Sequence, residues 1–463
     1  MRVPPNSLVL LPFLGSLSYY FMGSSGIKSA VVGYSLSFIP YLCLLWFMGK
    51  YPSIKLSKKL ILFGVGIASI PLLMCEPILS EDIWRYVWDG FRVGSGQNPY
   101  CLAPNDSSLD PFANQYELAD VRQKIGHAQL PTIYPPVAQF IFSATSMFSP
   151  SSLPLRLLGT VSLVLSTYLI SSLLELNNGQ KGHVALFAFN PLLLTEVCVS
   201  GHVDIFAVTF VIMALVLFRK SLPTLSALSL SAAILTKLIP VLIAPFVLRG
   251  KHRQWLLCII SIGGVYLLLD TSACSPFGSL STFGAKWRHN DGVFGLLHWC
   301  YTSIFNQLDQ KFLSTGLLGR WLTGDSHLSS PSQLGLFFAK LTSGLFVVGY
   351  LFDTMRRDWS LEIKVFSLFV VFFLVSPVVH PWYLLWTLPL IPLLWSQVGC
   401  YASLPLIWWS MTSLVAYDAR ISLLTTGVWK SAADLVWLEY GGLLVVFLFA
   451  RFKSDSARIP NTH

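Results

Sequence analysis

The stretch Ser80–Tyr100, SEDIWRYVWDGFRVGSGQNPY, sets three carboxylates (Glu81, Asp82, Asp89) and two arginines (Arg85, Arg92) directly after a long apolar run. A carboxylate at such a boundary can serve as a general base if a nucleophile comes within hydrogen-bond reach. Asp82 and Asp89 stand seven residues apart, which on a helix puts both on one face, two turns apart. Glu81 and Arg85, four apart, are placed to pair on an adjacent face. Trp84, Tyr86 and Trp88 supply the amphipathic surface of a membrane boundary. Gly90, Gly94 and Gly96, with Asn98-Pro99-Tyr100, are expected to break the helix and open a turn-rich segment. An interfacial helix whose charges only meet water and headgroups would use the same residue types. The long loop that follows favours a functional reading.

Four further segments carry reactive groups. Gly201-His202-Val203-Asp204 sets an imidazole and a carboxylate at a helix start, where capping is the bland explanation for the aspartate. Lys237 interrupts an apolar stretch beside Pro240 and Pro245. A lysine at membrane depth costs roughly 2.5–3.5 kcal/mol unless it faces a polar cavity or snorkels, so an anionic ligand is one reading and snorkelling the other. The loop Ala285-Lys286-Trp287-Arg288-His289-Asn290-Asp291-Gly292 interleaves cations, aromatics and an amide, which suits phosphate and sugar contacts and equally suits a solvated loop. Val379-His380-Pro381-Trp382-Tyr383 adds a histidine among residues that an aromatic belt explains.

The elements that must position these groups are set by composition. The chain is 54% hydrophobic and 11% charged, which excludes an ordinary soluble domain. Apolar runs recur from end to end, so the fold class is an all-α integral membrane protein, a single polytopic domain over 1–463. Run lengths imply about 11 to 13 spans. The formal charge of +9 is scattered in short clusters between runs (Lys50–Lys59, Arg249–Arg253, Arg356-Arg357, Arg451–Arg458), the positive-inside pattern rather than a nucleic-acid surface. With those clusters cytoplasmic, a large loop at 76–136 and a second region at 272–327 fall outside, and the chemical segments gather on that face. Residues 137–176 read either as one crossing with an interfacial piece or as two short crossings. The Met1-Arg2 start and Leu8–Phe21 imitate a signal peptide, though a retained first helix is favoured.

The eight cysteines show no metal-ligand spacing. Cys75 and Cys101 bracket the first loop and could pair in an oxidising compartment, with buried free thiols as the alternative. No internal repeat is visible.

Six segments in order, SEDIWRYVWDGFRVGSGQNPY, LPTIYPPVAQ (Leu130–Gln139), GHVD, KLIPVLIAPFVLR (Lys237–Arg249), WRHNDGVFGLL (Trp287–Leu297) and HPWYLLW (His380–Trp386), resemble the bacterial GT-C class glycosyltransferases that use polyprenyl-phosphate sugars, especially the polyprenol-phosphate-mannose-dependent mannosyltransferases. The resemblance implies a GT-C type bundle in a bacterial inner membrane with its active site on the external face. It implies a polyprenyl-phosphate hexose donor, mannose first, and a lipid or cell-envelope glycan acceptor. By the family pattern Asp82 is the general base with Glu81 as neighbour. Arg85, Asp89, Tyr134, His202, Asp204, Lys237, Trp287, Arg288, Asn290 and His380 are the implied substrate-binding residues. A divalent cation as cofactor is left open. The competing class is a secondary transporter or flippase of lipid-linked sugars, with Asp82, Asp204 and Lys237 as a coupling pathway.

Overall fold

The computed structural model describes residues 5–52, 55–267, 274–275, 277–308 and 330–456. Residues 272, 273, 276 and 309–327 of the expected second region, the Met1-Arg2 start and Arg458 lie outside them. The described residues are helical, and their only strand-like pairing is one parallel bridge between His289 and Val378.

Among the described residues four helices are long and apolar enough to cross a bilayer: Ile27–Lys50, Leu153–Leu176, Pro331–Arg356 and Ala433–Ser456. At 24 to 26 residues each runs about 36 Å or more, enough for a hydrocarbon core of about 30 Å. Their outer faces carry exposed Trp46, Leu345, Phe346, Leu444 and Val445, the inverse of a water-soluble surface. Together with the shorter apolar helices they make an all-α polytopic membrane protein. In the middle of the chain, Pro191–Cys198 and Asp204–Arg219 are joined by a non-helical turn that is completely buried. Irregular backbone at that depth is tolerated because protein, not lipid, surrounds it.

Residues 137–176 resolve as one crossing preceded by a short helix, Pro136–Ser146. At 11 residues that helix is about 16 Å long and cannot span. It packs against the acidic helix Asp82–Gly94. The expectation that Gly90 breaks this helix is overturned. The helix continues to Gly94, and Gly90 marks the close approach, since a Cβ there would collide with the Phe142 carbonyl and Ser146 Oγ.

The segment after the acidic helix is ordered by its own small core, in which Val87 and Trp88 meet Leu109, Phe112, Leu118 and Val121. Arg92 pins the turn by donating to the Leu102 and Asn98 carbonyls at 2.8 and 2.7 Å. The cysteine expectation is corrected as well: Cys101 is bonded to Cys274, 173 residues away, while Cys75 is a buried free thiol. The bridge ties the segment after the acidic helix to the one that leads into Leu280–Lys286.

Candidate functional site

The N-terminus of the acidic helix opens into a cavity of about 470 Å³. Its walls come from five distant stretches: Leu79–Arg85, Gly126–Tyr134, Ser279–His289, His380–Tyr383 and Ala416–Trp429. Seven sequence-predicted residues line it: Glu81, Asp82, Arg85, Tyr134, Trp287, Arg288 and His380. Asp89, His202, Asp204, Lys237 and Asn290 stand outside the lining.

Asp82 begins its helix and keeps 38% of its side-chain surface open. Protein nevertheless surrounds the recess, and this burial pushes the carboxyl up to about 6; Lys237 and Arg85 pull it down, while Asp204 and Glu81 add to the rise. Reachable and shifted toward neutrality, it has the properties of a general base.

Around it the arginines are committed in different ways. Arg85 does not pair with Glu81, as helical spacing suggested; its Nη atoms donate to the Leu130 and His127 carbonyls at 2.8 and 2.9 Å, fixing the loop that forms one wall. Glu81 pairs instead with Arg420, from the helix Asp418–Thr426. Arg420 Nε is buried without a partner. Asp89 is buried behind the cavity between Arg85 and Arg92, and desolvation raises its pKa against both. Tyr134 contributes its ring, with Tyr100 Oη donating to its carbonyl at 2.7 Å and its own Oη 3.3 Å from that of Tyr86.

A second layer lies behind Asp82. Lys237 Nζ reaches both oxygens of Asp204 at 2.6 and 2.8 Å and sits 4.4 Å from the centre of the Tyr383 ring. Trp386 Nε1 donates to the same carboxylate at 2.7 Å. His202 is fully buried and stacks on Trp382 at 3.9 Å. Trp382 stacks in turn on His380 at 4.3 Å, and His380 lies 4.7 Å from His289, which contacts Trp429 at 5.3 Å. Five rings thus form one continuous row, of which the four from Trp382 to Trp429 line the cavity. Burial holds the His380 imidazole well below its ordinary range, with His289, His202 and Lys237 adding to the fall, and takes His289 down to about 4.

The loop Trp287–Asp291 is held beside the His380 segment by main-chain bonds from His289 N to the Pro377 carbonyl (3.0 Å) and from Val379 N to the His289 carbonyl (2.9 Å). Trp287 packs on His127. Arg288 pairs with Asp291 at 2.7 Å and its Nη1 lies 2.6 Å from His298 Nδ1. Asn290 faces away, donating to Glu439 of the last helix at 3.1 Å.

Arg420, His127, His289, Tyr383 and Trp429 line the cavity without having been singled out as site residues. For Arg420 and His289 a signal existed: Asp418-Ala419-Arg420 and Lys286–Asp291 are polar breaks between apolar runs, and the basic clusters put both on the same face as Asp82. Among the described residues no group of three or more His, Cys, Asp or Glu is placed to hold a metal ion.

Residues 3–250 match the family model described as Alpha-(1->6)-mannopyranosyltransferase, N-terminal domain, and residues 132–381 match that of Glycosyltransferase family 87. A curated relative, Alpha-(1->6)-mannopyranosyltransferase B of Corynebacterium glutamicum, is 23% identical over 367 residues, or 73% of this chain. The chain spans 58% of that relative's length. No solved structure matches the chain.

Proposed function

The chain belongs to the alpha-(1->6)-mannopyranosyltransferase family, and on that premise we propose that it is a membrane glycosyltransferase that moves a hexose, mannose first, from a polyprenyl-phosphate donor to a lipid-linked or cell-envelope glycan acceptor. The observation that carries the proposal is the cavity itself, in which a reachable carboxylate of raised pKa faces arginines, imidazoles and aromatic rings drawn from five distant stretches.

In this reading Asp82 takes the proton from an acceptor hydroxyl, the freed oxygen attacks the anomeric carbon, and the lipid phosphate leaves from the opposite side with inversion. A phosphate leaving group needs charge stabilisation more than protonation. Arg420 and Arg288, which both line the cavity, are the cations placed for it. The ring wall from Trp382 to Trp429 offers flat apolar faces to sugar rings. Lys237, neutralised by Asp204, holds the second layer and tunes Asp82.

We place the cavity on the external face of the inner membrane. The basic clusters lie at the other helix ends, and the Cys101–Cys274 bridge beside the cavity fits an oxidising compartment. Nucleotide sugars are generally confined to the cytosol, which favours a lipid-linked donor.

The test is purified protein in liposomes given radiolabelled polyprenyl-phosphate mannose and a lipid extract, with nuclear magnetic resonance of the product. Label in an acceptor with inverted anomeric configuration is expected. Counterflow of the lipid-linked sugar without any transfer would establish the transporter reading instead.

A further inference from the structure

The GHVD turn buries groups that do not line the cavity. Gly201 adopts φ of +68°, and a Cβ there would strike Ile83, so only glycine fits. The turn folds His202 N back onto the Glu196 carbonyl at 3.0 Å and drops the imidazole between two carboxylates. His202 Nδ1 is 3.8 Å from Asp82 Oδ2, and its Nε2 is 3.5 Å from Glu196 Oε2. Both ring nitrogens and Glu196 Oε2 are buried with no hydrogen-bond partner. The other oxygen of Glu196 is satisfied by the hydroxyls of Tyr417 (2.6 Å) and Tyr34 (3.0 Å), so the carboxylate is held with one edge toward the imidazole. Trp382 fixes the ring plane. Buried polar atoms left unpaired are rare and call for an explanation. Contacts between working groups are often long in a ligand-free enzyme and tighten around substrate.

We propose that Asp82, His202 and Glu196 form a proton relay in which Glu196 is the final store for the proton removed from the acceptor hydroxyl. This deepens, and rests on, the transferase reading. Before transfer Asp82 and Glu196 are ionised and His202 is neutral, with its proton on Nε2 toward Glu196. The acceptor O–H bond breaks toward Asp82 as the new C–O bond forms and the C–O bond to the lipid phosphate breaks. The proton then passes from Asp82 to Nδ1 while the Nε2 proton moves to Glu196. Asp82 is again an anion, His202 is neutral in its other tautomer, and Glu196 is a carboxylic acid; no atom or charge is lost. The relay returns the proton to solvent through Asp82 once product leaves. His202 and Glu196 are positioning residues, acting only through Asp82.

The experiment compares wild type with Glu196→Gln and His202→Gln, which preserve volume, in the transfer assay run in H2O/D2O mixtures. Wild type should give a bowed dependence on deuterium fraction, reporting more than one proton in flight. Both variants should keep donor and acceptor KM, lose kcat on the order of 10- to 100-fold, the scale for removing an outer partner of a working group, and give a straight line. Wild-type kcat in Glu196→Gln, or a straight line for wild type, overturns the relay. Infrared difference spectra, with the Glu196 band assigned by its loss in Glu196→Gln, supply a readout that does not need transfer. The relay requires that the pH at which the Glu196 carboxylic acid band appears moves when Asp82 is changed to Asn, and an unmoved band overturns it. Absence of transfer by wild type would instead count against the transferase reading, leaving the infrared arm to decide the relay.

Discussion

Lys237 Nζ grips both carboxylate oxygens of Asp204, at 2.6 and 2.8 Å, with the aspartate fully buried and the lysine 17% exposed. Removing one partner of such a pair strands a buried charge, which costs about 3–5 kcal/mol. Lys237→Met should therefore lower the melting temperature sharply in detergent, and the double variant Asp204→Asn/Lys237→Met should recover most of the loss. A Lys237→Met protein that melts like wild type would show the pair to be dispensable.

Arg420 lines the cavity and is joined there to Glu81. If it holds the donor phosphate, Arg420→Met removes a charged hydrogen bond of about 1.5–3 kcal/mol, roughly 10- to 100-fold in donor affinity. Donor titrations should show a raised KM with acceptor KM unchanged. An unchanged donor KM would move the phosphate elsewhere.

The pH profile follows from Asp82. Only the ionised carboxylate can accept a proton, and its pKa is pushed up to about 6. Activity should fall by about tenfold per unit below that value, and protonation of Glu196, which the relay also needs ionised, would add to the fall. His289, at about 4, stays neutral across this range and does not contribute. A profile flat from neutrality down to pH 5 would contradict the assignment.

Cys101 and Cys274 should resist a membrane-impermeant maleimide until reduced, then label from the external side. Loss of the bridge in Cys274→Ser should destabilise by about 2–5 kcal/mol. Labelling of these two cysteines without reductant would remove the bridge, and failure of both to label from outside after reduction would remove the outward placement.

The sequence carried the class of the protein and the position of its acidic helix, because apolar run length and the Asp82 boundary are local signals. What it hid was long-range. Glu81 chose Arg420, 339 residues away, over Arg85 on its own helix. Cys101 likewise took Cys274 rather than Cys75, and Gly90 read as a breaker when its missing side chain admits a neighbouring helix. Asp89 and Asn290 drew notice as polar residues in reactive segments, yet both turn into the protein, and a one-dimensional pattern cannot tell a cavity wall from the layer behind it.

The most direct test of Asp82 as general base is the transfer rate of Asp82→Asn beside wild type, both purified into nanodiscs with matched melting curves and saturating polyprenyl-phosphate mannose. Loss of the base should lower the rate by about 10²–10⁴-fold with donor binding retained. An Asp82→Asn enzyme that transfers mannose at the wild-type rate would contradict it.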